Sequence, residues 1–330
     1  MRFGSGKLTF DLAEGWGDMP EGWIPANVPG IAVDSEDRVY MLGGRRHPVT
    51  LVMVFDRQGD FLTSWGGGLF ENPHGIFVGP DDSVYCADEG SHTVRKFSPD
   101  GRLLLTLGTD GQPSDTGHDG TDYRTIKKGG PPFNRPSNVA ISPWGEIYVT
   151  DGYGNARIHK FSPSGKLMLS WGEPGAGPGQ FAIPHGICVD QRGTVYVADR
   201  QNNRIQVFTP EGKFITQWID LTRPTDLFLD AEQNMYVAEL GDRVGISQGM
   251  PKPTALSPWS RISVLSLDGK VLARWGEEDG AAPGSFFAAH GICTDSHGDL
   301  YVSEVVASSG RTAARIPPGC HVFQKFVRVG

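Results

Sequence analysis

Residues 183–218 read "IPHGICVDQRGTVYVADRQNNRIQVFTPEGKFITQW". Four short apolar or alternating runs stand out: "GICVD", "TVYVAD", "RIQVF" and "KFITQW". Turn chemistry separates them, with "DQRG" after the first and "TPEG" after the third. Short runs rich in β-branched and aromatic residues, bounded by Gly, Pro and Asp, are the signature of antiparallel strands. This stretch is a four-stranded unit.

The unit recurs along the chain. Copies start near Pro29, Pro73, Pro136, Pro184, Pro224 and Ala289, with second runs "RVYML", "SVYCAD", "EIYVTD", "TVYVAD", "NMYVAE" and "DLYVSE". A repeat of this length built from four strands predicts an all-β, six-bladed β-propeller. The whole chain, 1–330, reads as one such domain, with blades starting near 28, 72, 135, 183, 223 and 288. The last copy, "HVFQKFVRVG", supplies a third strand and stops, whereas "KLTFDLAEGWG" at 7–17 matches the fourth strands "GKLMLSWG" and "KVLARWG". We therefore expect residues 7–17 to complete the last blade, which removes an open sheet edge.

Within the copies, histidine alternates. "NPHGIFVG", "IPHGICVD" and "AAHGICTD" carry His74, His185 and His290, whereas Pro29, Ser137 and Thr225 stand at the matched places of copies one, three and five. In a ring of six, alternate blades are about 120° apart. Three imidazoles then converge on the channel axis and leave a position open, which is the arrangement of a catalytic zinc site. Zinc is the first expectation, and the ligand set alone also admits iron, cobalt or manganese. Channel histidines bound only to water are the bland alternative, and three at equivalent places in alternate blades argue against it.

The same face should carry the long irregular segments 109–133, 241–260 and about 305–320. It should also carry the turns between second and third strands. Tyr153 and Arg200 occupy matched positions in two of those turns, where copy two has Glu89. These residues break the repeat, so the fold does not demand them. Asp88, Asp151 and Asp199 recur, as do Asn155 and Asn203 and Arg157 and Arg204, which reads as turn and inter-blade structure.

The 45 glycines and 24 prolines among 330 residues are spread through the chain as turns. A net charge of −8 argues against a broad nucleic-acid footprint, and no Lys/Arg run points to a membrane surface. No apolar stretch approaches the ~20 residues that span a bilayer. The cysteines Cys86, Cys188, Cys293 and Cys320 lack C-x-x-C spacing, and the N-terminus carries no apolar signal core. Together these suggest a reducing, cytoplasmic setting.

The segments "LFENPHGI", "FNRPSNVAISPWGEIYVTDGYGNARIHKFSPSGKLMLSWGEPGAGPGQFAIPHGI" and "VYVADRQNNRIQVF" resemble NHL repeats and, more closely, peptidyl-α-hydroxyglycine α-amidating lyases. The resemblance is strongest over about residues 70–218. It implies zinc on His74, His185 and His290, with Tyr153 and Arg200 as active-site residues. A second arginine of that family falls on Gly44, with Arg45 and Arg46 beside it, and Arg45 is the candidate there. The family's structural calcium uses an aspartate after the third histidine, where this chain has Gly291; that argues against calcium, although Asp226 offers a carboxylate near the channel.

The reaction implied is lysis of an N-acyl-α-hydroxyglycine to a primary amide and glyoxylate, on a small-molecule or peptide-like substrate. Tyr153 as phenolate is a candidate base. Arg200 either depresses its pKa or forks onto the substrate carboxylate, and the sequence leaves both open. Two rivals stand beside this reading: a metallohydrolase of an ester, lactone or amide on the same histidines, and a non-enzymatic protein-binding scaffold.

Overall fold

Each repeat folds as its alternation dictates, with one strand face turned toward each neighbouring blade. The computed structural model describes residues 1–330 except 22, 24–26, 44–50, 243–257, 277–279 and 307–319. Blade four is representative: Pro184–Val189, Val195–Asp199, Arg204–Phe208 and Phe214–Trp218 form a four-stranded sheet in chain order. Every strand pairs antiparallel with the next. Blades one, two, three and five repeat this plan.

The first strands of the six blades pack one against the next around a closed circle. Apolar side chains fill the wedges between blades. Tyr40, Val52, Val54, Ile76, Val84 and Phe97, for example, join blades one and two. Cys188, Tyr196, Ile205, Leu227 and Val237 join four and five. A ring of six sandwiched cores thus replaces one central core.

Blade six is closed from the other end of the chain. Leu8–Ala13 pairs with Phe323–Arg328, in the register Phe10 with Arg328 and Ala13 with Lys325. The sequence did not announce one addition: Arg2–Ser5 pairs outside Leu8–Ala13 as a fifth strand. Phe10 is fully buried against Trp275, with 5.6 Å between ring centroids.

The two faces differ. On one, tight turns link first to second strands, and an aspartate caps them. Asp34, Asp190 and Asp295 each accept a hydrogen bond from the tyrosine six residues on, at 3.1, 3.2 and 3.0 Å. On the other lie the entries to the first strands and the segment 109–133. There the carboxylate ending the second strand of blades two to six accepts backbone N–H groups of the incoming loop. Asp88 holds Glu71 and Asn72, Asp199 holds Ala182, and Glu304 holds Phe287 and Ala288. Arg204 pairs with Asp199 at 2.8 Å, as the recurrence suggests, whereas it is Asn155 that donates to Asp151. Among the described residues, helix is confined to short turns, and none is long and apolar enough to cross a membrane.

Candidate metal centre

His74, His185 and His290 each stand second in the first strand of their blade, at a bulge in its pairing. Their ring centroids form a nearly equilateral triangle, with sides of 4.7, 4.8 and 4.8 Å. All three are buried, and one ligating nitrogen from each lies within 4.8 Å of the others.

The blades without histidine complete the arrangement. His74 Nδ1 lies 2.8 Å from the carbonyl oxygen of Ser137, His185 Nδ1 lies 2.6 Å from that of Thr225, and His290 Nδ1 lies 2.7 Å from that of Pro29. Pro29, Ser137 and Thr225 are the residues that replace histidine in copies one, three and five. A carbonyl only accepts, so each Nδ1 carries the proton and each Nε2 presents a lone pair. Alternation therefore supplies three ligands and three orienting acceptors from one repeated position. Such outer contacts set ring orientation and ligand basicity at metal sites.

The glycines after His74 and His185 have a related cause. A Cβ on Gly75 would sit 2.5 Å from the Ser137 oxygen, and one on Gly186 would sit 2.7 Å from the Thr225 oxygen. Only glycine lets the next strand come near enough to offer its carbonyl.

Burial pushes all three imidazoles toward the neutral form, His74 to about 4, with Arg200 acting in the same sense. Neutral imidazoles with inward lone pairs are what a borderline divalent ion binds. The residues present fit zinc.

Tyr153 leans over this triangle. Its Oη lies 2.9 Å from Nε2 of both His74 and His185, and Arg200 Nη1 donates to it at 3.0 Å. The turn is held close because Gly152 packs against the Pro184 carbonyl, where a Cβ would meet oxygen at 1.9 Å. Burial pushes the Tyr153 phenol up, and Arg200 opposes that shift. The protein charges alone thus do not bring the phenol below its ordinary range. Arg45, with Gly44 and Arg46, lies outside the described residues. Most of 241–260 and 305–320 does so too.

Two groups near Tyr153 were not singled out as site residues from sequence. Glu89 is buried at the matched turn of blade two and pairs with Arg135 at 3.0 Å. Arg223 is buried beside Arg200, and burial with that neighbour pulls it down to about 10. The available signal was "RP" opening copies three and five, where the histidine-bearing copies two and four have "NP" and "IP".

Calcium does not fit. Asp226 lies at the inner end of a cavity of about 320 Å³ that opens on the face of tight turns. Its carboxylate already accepts from Asn138 Nδ2 at 2.7 Å, Leu227 N at 2.9 Å and Ile292 N at 3.3 Å. Calcium needs six to eight oxygen ligands, and N–H groups surround this carboxylate. Burial pushes its carboxyl up to about 7.

Comparison with known proteins agrees with this architecture. The NHL repeat matches residues 133–161 and 181–208. The chain is 35% identical over 222 residues to NHL repeat-containing protein 3 of Homo sapiens, covering 64% of this chain and 60% of that protein. It is 31% identical over 274 residues to peptidyl-alpha-hydroxyglycine alpha-amidating lyase 1 of Drosophila melanogaster, covering 78% of this chain and 47% of that protein. The chain thus spans about half to three fifths of these relatives' length. A streptogramin B lyase structure superposes with a TM-score of 0.60 over 97% of this chain and 99% of that one, at 15% identity, a likeness of fold alone.

Proposed function

We propose that this NHL-repeat propeller is a zinc-dependent lyase that cleaves N-acyl-α-hydroxyglycines to a primary amide and glyoxylate. One observation carries the reading: a tyrosine hydroxyl sits 2.9 Å from two of three inward-facing imidazole nitrogens and is held there by an arginine. A relative named as an amidating lyase, aligned over 78% of the chain, supports it.

When bound at the histidines, a divalent ion supplies two positive charges that acidify a neighbouring hydroxyl. The chain's own residues do the rest. Tyr153 Oη takes the proton of the α-hydroxyl. The electrons of that O–H bond form the aldehyde C=O, and the C–N bond breaks. The leaving amide nitrogen needs one proton, which Tyr153 returns, so the tyrosine ends as it began. Arg200 steadies the phenolate form that Tyr153 holds before it takes the proton and after it returns it. The buried walls keep water from competing for the proton.

The test is direct. Metal-loaded protein given N-benzoyl-α-hydroxyglycine should release benzamide and glyoxylate in equal amounts, lose that activity to a chelator, and regain it with Zn²⁺. Absence of glyoxylate, with acid released from esters or lactones, would replace the lyase by a hydrolase. A scaffold reading draws on the human relative, named for its repeats alone. It predicts no turnover of either kind.

A further inference from the structure

We infer that Arg135 is a specificity residue that, with Arg200, clamps a carboxylate of the substrate over Tyr153. The inference builds on the proposed reading of this face as a site for N-acyl-α-hydroxyglycines. Its ground is the placement of two guanidinium groups around one ring. The Arg200 guanidinium carbon lies 5.2 Å from the Tyr153 ring centroid and that of Arg135 lies 5.8 Å from it. The first comes from the turn of blade four and the second from the loop entering blade three.

Arg135 is held in place with donors to spare. Its Nη1 donates to the Gly120 carbonyl at 3.0 Å, and its Nη2 pairs with Glu89 at 3.0 Å. Its backbone N–H donates to His92 Nδ1 at 3.1 Å. A guanidinium has five N–H donors in a planar fork, and these contacts use two. The side chain keeps 28% of its surface open to solvent. Arg200 has a complementary vacancy. Its Nε is buried and meets no acceptor among the described residues. Buried N–H groups are rarely left so, and a ligand oxygen satisfies one.

Arg135 has φ of 67°, and Ile183 and Arg223 at the matched places of blades four and five have 60° and 50°, so this left-handed conformation belongs to the repeat. Burial pushes the Glu89 carboxyl up, with Arg135 opposing the shift.

The ligand class follows from the donors. Two guanidinium groups beside one ring suit a planar carboxylate, which such a fork binds with two parallel hydrogen bonds. In the proposed substrate this is the glycine-derived carboxylate, and a neutral ester would forgo it.

Calorimetry on zinc-loaded protein tests this without turnover, using N-benzoylglycine and its methyl ester as probes. Wild type should bind the carboxylate at least about 10-fold more tightly than the ester. Arg135→Gln should weaken carboxylate binding by about 10- to 100-fold and leave the ester unchanged. Arg135→Lys, which keeps the stem and charge, should recover only part of the loss, and it reads the same selectivity if the glutamine variant does not fold. With N-benzoyl-α-hydroxyglycine the glutamine variant should raise KM far more than it lowers kcat. Wild type with no carboxylate preference would overturn the inference. So would an Arg135→Gln protein that weakens both probes equally, or neither, with full zinc content and normal melting. If glyoxylate is never released yet the carboxylate preference depends on Arg135, the lyase reading falls and the clamp stands.

Discussion

A phenol has one proton, and Tyr153 Oη is shared at 2.9 Å between two unprotonated imidazole Nε2 atoms, the ring protons being committed at Nδ1 to carbonyls. The hydroxyl can donate to only one of them. It is thus placed to trade protons and not to fix the rings, which the Ser137, Thr225 and Pro29 carbonyls already do. Tyr153→Phe should therefore keep zinc and melting temperature while lowering kcat roughly 10²- to 10⁴-fold, the range for losing a general base. Paired measurement of metal content and initial rate checks this, and a variant with wild-type kcat and full zinc would take tyrosine out of the mechanism. At this scale the histidines, Tyr153 and Arg200 were legible because they break a repeat. The carbonyl acceptors were not, since every residue carries one and no side chain marks which is used. Arg135 was hidden by its setting, because Arg-Pro before a strand reads as a turn.

The strands that carry the site are the innermost of their blades, and the ring they form depends on closure at its seam. Leu8–Ala13 is the fourth strand of blade six, with Leu8 and Phe10 buried in the core shared with blade five. Trp16 follows it and donates from its indole to the Arg57 carbonyl at 2.9 Å, packing on Tyr301 and Phe323. Fully burying one large apolar side chain stabilises by about 1.5–3 kcal/mol. Losing several is a large share of the 5–15 kcal/mol that holds a typical domain. Deletion of residues 1–17 should therefore lower the melting temperature by more than about 10 °C or cause aggregation through the bared edge of Phe323–Arg328. A soluble truncated protein with unchanged thermal melting would contradict the closure. The seam was legible because "KLTFDLAEGWG" matches other fourth strands. The outer strand Arg2–Ser5 and the short pairing of Glu173–Pro174 with Gln180–Phe181 were not, being too brief for a period to show.

Across the whole molecule, one repeated position does two jobs. Where the copy has histidine it faces the axis, and where it does not its carbonyl turns a neighbour's ring. Six units suffice for three of each. The net charge of −8 spoke against nucleic acid but was silent about this face, where Arg135, Arg200 and Arg223 cluster. Charge summed over a chain does not report a local field. The central claim is that alternate blades build a metal site on the propeller axis. Its most direct test is metal analysis of protein purified without chelators, followed by zinc titration of the stripped wild type against His74→Ala, His185→Ala and His290→Ala. Loss of an outer partner alone weakens such sites 10- to 100-fold, so loss of a ligand should weaken zinc binding by more than about 100-fold. The account predicts one metal per wild-type chain and that loss in each variant. A wild type that holds no metal, and binds zinc no more tightly than the variants, would contradict it.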